Sequence, residues 1–138
     1  MNTENHQRQT WLLLLLAINI FASILHYTDN FLFFKNYPGL GTNPHVVYIA
    51  WLILTPFGLA GYRQYRKGNF WTAYLCLCIY SMTSIGGLAH YLFASMWSFS
   101  WKMNALIWFE ALAGITLLSF TIYSSLLLKE WRQTKLLN

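Results

Sequence analysis

Five residues in this chain have side chains suited to chemistry and stand among apolar neighbours: His26, Asp29, His45, His90 and Glu110. His26 and Asp29 are three residues apart, and the others follow at long intervals. Imidazoles joined by one or two carboxylates are the usual ligand set for zinc, and the same donors suit iron or copper. On that chemistry His26, His45 and His90 are the expected metal ligands. Asp29 serves as a fourth ligand or as the hydrogen-bond partner that orients one of them. Glu110 is then free to act as a general acid or base. His26 and His90, at similar depth, also meet the minimum for axial ligation of a haem, which needs two imidazoles on facing helices.

Each of these residues also has a structural reading. A histidine at a membrane interface can keep one ring end wet, and His45 can satisfy loop carbonyls at a helix start. Asp29 and Asn30 can cap or turn the chain where it leaves a helix. Glu110 is harder to explain this way, because an isolated carboxylate deep in an apolar stretch has to be protonated or paired. The chain contains neither an H-E-x-x-H nor an E-x-x-H pattern. Cys76 and Cys78 are two apart, on different faces of a helix, which predicts neither a disulfide nor a C-x-x-C redox pair.

The elements that position these residues follow from composition. Of 138 residues, 57% are hydrophobic and 9% charged, against about 25% charged in soluble domains. That excludes an ordinary soluble domain. Four apolar stretches, at roughly 11–27, 44–62, 70–93 and 103–128, approach the ~20 residues that an α-helix needs to cross a ~30 Å hydrocarbon layer. The expected fold is all-α, a single four-helix transmembrane bundle. Asn43 before Pro44 predicts a sharp start to the second helix.

Nine Lys and Arg against four Asp and Glu leave a net charge of +5. Arg8, Arg63, Arg66, Lys67, Lys129, Arg132 and Lys135 flank one side of the four spans, and Lys35 and Lys102 the other. The bias puts the N- and C-termini and the 62–69 connection in the cytoplasm, with the 28–43 and 94–102 loops opposite. The excess charge therefore reads as an orientation signal, with no nucleic acid implied. The expected location is the plasma (inner) membrane of a bacterium, as a multi-pass protein.

With the spans in place, the polar residues recur at helical spacing: Asn19, Ser23, His26 and Asn30 on the first helix, and Tyr80, Thr83, Gly87 and His90 on the third. His26, Asp29, His45, His90 and Glu110 then fall in the outer third of the membrane. Gly86, Gly87, Ala113 and Gly114 let the third and fourth helices approach closely, drawing Glu110 towards His90.

Two functions follow as expectations. One is a small membrane enzyme acting on a lipid-soluble substrate, through a metal or, without one, through proton transfer by Glu110 and Asp29. The other is a haem-, pigment- or quinone-binding accessory subunit of a larger membrane complex. Membrane lipid, a lipid-soluble small molecule and a homo-oligomer or larger complex are the expected partners. Transport ranks last, because the polar layer stops at one side. The four spans, the long first outer loop, Pro56 inside the second helix and Ile79-Tyr80-Ser81 in the third resemble the EXPERA type of sterol-isomerase-related membrane proteins, which implies a lipid-facing pocket. The acid that those proteins carry in their second helix has no counterpart from Ile49 to Leu54, so no residue roles carry over.

Overall fold

The computed structural model describes residues 3–39 and 41–133; Lys135, one of the orienting cations, lies outside them. In chain order the helices are α1 (Thr3–Leu32), α2 (His45–Arg66), α3 (Phe70–Ile85), α4 (His90–Phe93), α5 (Trp101–Ile122) and α6 (Glu130–Gln133). A 3-10 turn, Gly86–Ala89, joins α3 to α4, and a π-helical turn, Tyr123–Leu127, continues α5. Among the described residues there is no strand. Four helical runs, Glu4–Leu32, His45–Arg66, Phe70–Phe93 and Trp101–Leu127, are long and apolar enough to cross a membrane.

The spacing of α1 shows why these helices associate. Leu12, Leu16, Asn19, Ser23, His26 and Asn30 are all buried, and intervals of three and four residues put them on one face. Leu13, Leu14, Ile18, Phe21 and Leu25 are exposed on the other side. A water-soluble helix has the opposite arrangement, apolar inward and polar outward. Here the exposed surface is suited to hydrocarbon, and the polar groups hydrogen-bond inside the bundle.

Glycines set the helix separations. A Cβ on Gly114 would lie 2.8 Å from the Ser81 carbonyl oxygen, so α5 rests directly on the α3 backbone. Gly58 and Gly61 of α2 are pressed against the Tyr80 and Leu77 side chains of α3. Leu12, Leu16, Leu77 and Leu117 fill the centre, with Tyr65, Tyr74 and Tyr80 around them.

The structure departs from the expected boundaries in three places, the first being that α1 already begins at Thr3. α1 continues through Thr28 to Leu32, with the Phe33 N–H bonded to the Asp29 carbonyl at 2.9 Å. Asp29 and Asn30 therefore belong to the helix and are not turn residues beyond it. At the far end, Lys129 adopts φ +50° and redirects the chain, which folds the short α6 beneath the bundle. Glu130 is only 2% exposed. It accepts hydrogen bonds from Tyr65 (2.9 and 2.8 Å), Tyr74 (3.1 Å) and Arg8 (2.9 Å). α1 and α6 are thus tied together at one end of the bundle.

Candidate functional site

At the opposite end the sequence places no such clamp. His26 of α1 and Glu110 of α5 form a buried pair through Nδ1 and Oε2, each residue 1% exposed. Gly87 makes room for them, since a Cβ there would sit 3.0 Å from the His26 ring and 3.4 Å from the Glu110 carboxylate. A Cβ at this position would press on the imidazole, which would have to give by a few tenths of an ångström.

The 3-10 turn Gly86–Ala89 swings His90 inward, where its ring meets His26 edge to face at 5.5 Å between centroids. The Asn30 amide Nδ2 lies 3.4 Å from His90 Nε2. An amide nitrogen only donates, so Nε2 accepts and the His90 proton resides on Nδ1.

Tyr37, from the loop after α1, roofs the site, 4.9 Å from the His90 ring and 6.1 Å from the His26 ring. Its hydroxyl donates to Asp29 Oδ2 at 2.7 Å, and Asp29 Oδ1 pairs with Lys102 Nζ at 2.5 Å. The Lys102 ammonium also lies 3.9 Å from the centre of the Phe33 ring, a cation–π contact. Burial, reinforced by the adjoining Asp29 carboxylate, holds the Tyr37 phenol well above its ordinary range, so it remains a donor. Deeper in the bundle, Ser84 donates to Asn19 Oδ1 at 2.8 Å and the Trp51 indole donates to Ser23 Oγ at 3.1 Å.

Beside the His26–Glu110 pair lies a cleft of about 410 Å³, within the size range of small-molecule sites. Val46, Ala50, Leu54 and Phe93 give it apolar walls, while His26, Asn30, His90 and Glu110 supply a polar end. Two polar atoms of that end, His26 Nε2 and Asn30 Oδ1, are buried with no hydrogen-bond partner among the described residues. Such atoms are costly in an apolar setting.

His26, His90 and Glu110 are therefore neighbours, and Asp29 stands one step away behind Tyr37. His45 does not join them: it is exposed at the start of α2, against the Phe31 ring at 5.7 Å. Among the described residues no three His, Cys, Asp or Glu side chains are arranged to hold a metal. The expected zinc, iron or copper site on His26, His45, His90 and Asp29 finds no support in this arrangement. The reason is local: His26 Nδ1 is taken by Glu110, both Asp29 oxygens are taken by Tyr37 and Lys102, and His45 packs elsewhere. Glu110 also pairs with His26, where the small-residue argument had it approach His90.

Tyr37 and Lys102 escaped the sequence reading. Lys102 counted only as a flanking charge, and Tyr37 belongs to no motif. No protein-family model, no curated protein and no solved structure matches the chain.

Proposed function

We propose that this chain is a membrane protein that takes a lipid-soluble small molecule into the cleft and transfers a proton on it with the His26–Glu110 pair. The observation that carries this reading is a buried acid–imidazole pair lining an apolar cleft. A low dielectric disfavours net charge, so the pair rests with two protons among Glu110, Nδ1 and Nε2. Both neutral arrangements, acid with imidazole or carboxylate with imidazolium, leave a hydrogen on Nε2. Glu110, which lines the cleft, delivers the proton it shares with Nδ1 to one carbon of an alkene, while Nε2 keeps its hydrogen. The alkene's other carbon becomes cationic, Glu110 takes a proton from the carbon on its far side, and that C–H electron pair forms the shifted double bond. Every proton and electron pair is accounted for within the pair and the substrate. Positioned acid–base groups of this kind contribute about 10²–10⁴-fold.

The orientation we propose puts both termini in the cytoplasm. Arg8, Arg63, Arg66, Lys67, Lys129 and Arg132 flank the Glu130 end and Lys35 and Lys102 the histidine end, which supports it. The cleft then lies in the outer leaflet of a bacterial plasma membrane. A haem-binding role is less well supported, because His26 and His90 meet edge to face, with an interplanar angle of 66°, where axial ligands must face one another across a macrocycle.

The test uses Gly86, which lines the cleft and where a Cβ would meet nothing within 4 Å. Organic extraction of the purified protein, followed by mass spectrometry, is expected to yield a lipid-soluble molecule near one per chain. Gly86→Phe is expected to abolish it and Glu110→Gln to retain it. Returned to the protein in deuterated water, that molecule is expected to gain deuterium with wild type. An extract identical in wild type and Gly86→Phe would overturn the reading.

A further inference from the structure

The polar end of the cleft specifies the head of its occupant. We infer that this site selects a neutral alcohol, with one hydroxyl at the end of an apolar body. The inference rests on the proposal that the cleft takes a lipid-soluble molecule, and it names the class of that molecule.

His26 and Asn30 are four residues apart on α1, hence on one face, and both line the cleft. They are 1% and 4% exposed, so water does not satisfy them from bulk. With Nδ1 held by Glu110, the atom that His26 has left is Nε2, which carries a hydrogen in either neutral arrangement of the pair. It needs an acceptor. With Nδ2 committed to His90, the atom that Asn30 has left is the carbonyl Oδ1. It needs a donor. One hydroxyl meets both demands, because its oxygen accepts while its hydrogen donates.

Other heads match less completely. A ketone or quinone oxygen would satisfy His26 and leave Asn30 Oδ1 unpaired. A carboxylate or phosphate would bring a negative charge beside Glu110, and no Lys or Arg lines the cleft to balance it. A hydrocarbon would leave both atoms orphaned. The walls formed by Val46, Ala50, Leu54 and Phe93 suit a branched or polycyclic body; Tyr27 and Thr83 also line the cleft, and the Thr83 hydroxyl already donates to the Tyr80 carbonyl.

The experiment is equilibrium binding to the full chain in lipid nanodiscs, using farnesol, its methyl ether and farnesene as a matched series. Farnesol is expected to bind at least about tenfold more tightly than the ether, which cannot donate to Asn30, and more tightly still than the hydrocarbon. Asn30→Leu is expected to reduce farnesol to the affinity of the ether while leaving the ether unchanged. If that variant fails to fold, as judged from its melting, the ligand series on the unaltered protein decides alone. Equal affinity for all three overturns the selection of an alcohol while leaving the cleft reading intact. Binding of none of them overturns both.

Discussion

The bundle buries a glutamate at each end, and the two are provisioned in opposite ways. Glu130 receives hydrogen bonds from Arg8, Tyr65 and Tyr74, so both carboxylate oxygens are held by rigid or charged donors. Glu110, just as buried, pairs with one titratable residue and borders a cleft. A carboxylate surrounded by fixed donors is held in one place and serves as a clamp. A carboxyl sharing its proton with a single imidazole can pass that proton on. Burial alone therefore does not separate a structural acid from a reactive one; the number and kind of its partners does.

The comparison can be broken most forcefully at the clamp. Glu130→Ala leaves the Arg8 guanidinium and two buried phenols without their shared acceptor, and is expected to cost about 3–5 kcal/mol, read as a lower denaturation midpoint in detergent. Glu110→Gln sharpens the contrast from the other side. It should hold stability within about 1 kcal/mol, because the amide still hydrogen-bonds His26. Deuterium transfer to the extracted ligand should nonetheless fall about 100-fold or more. If Glu110→Gln unfolds the protein and Glu130→Ala does not, the assignment of roles is reversed.

Smaller effects belong to the roof over His90. Tyr37→Phe deletes one hydrogen bond to Asp29 and is expected to lower stability by about 1 kcal/mol. Because the Tyr37 phenol is held above its ordinary range by burial and by Asp29, raising the pH towards 10 in wild type should not mimic this substitution in a melting series. Lys102→Met is expected to cost about 1 kcal/mol at most, since the lysine side chain is 44% exposed, while its partner Asp29 is 7% exposed and keeps the Tyr37 hydroxyl. A larger loss there would make the roof a second clamp.

The long helices were legible because apolar runs of span length have few other uses. The inward face of α1 was legible too, from Asn19, Ser23, His26 and Asn30 at helical spacing. The partner of Glu110 was not, because whether α5 meets His26 or His90 depends on the rotation of three helices about their axes. Gly87 carried a clue, since a missing side chain beside an inward histidine leaves space for a second group. Glu130 was hidden for another reason: flanked by Lys129 and Trp131, it looks like part of a solvated tail. Nothing local announces that a single left-handed residue, Lys129, folds that segment back.

That folding back bears on how the protein is made. Glu130 leaves the ribosome after all four long helices, while its three donors, Arg8, Tyr65 and Tyr74, sit on the first three. Until Glu130 emerges these donors need interim partners. Closure of this end therefore waits for one carboxylate that draws the early helices together, and quality control acting before that moment would meet a bundle still open there.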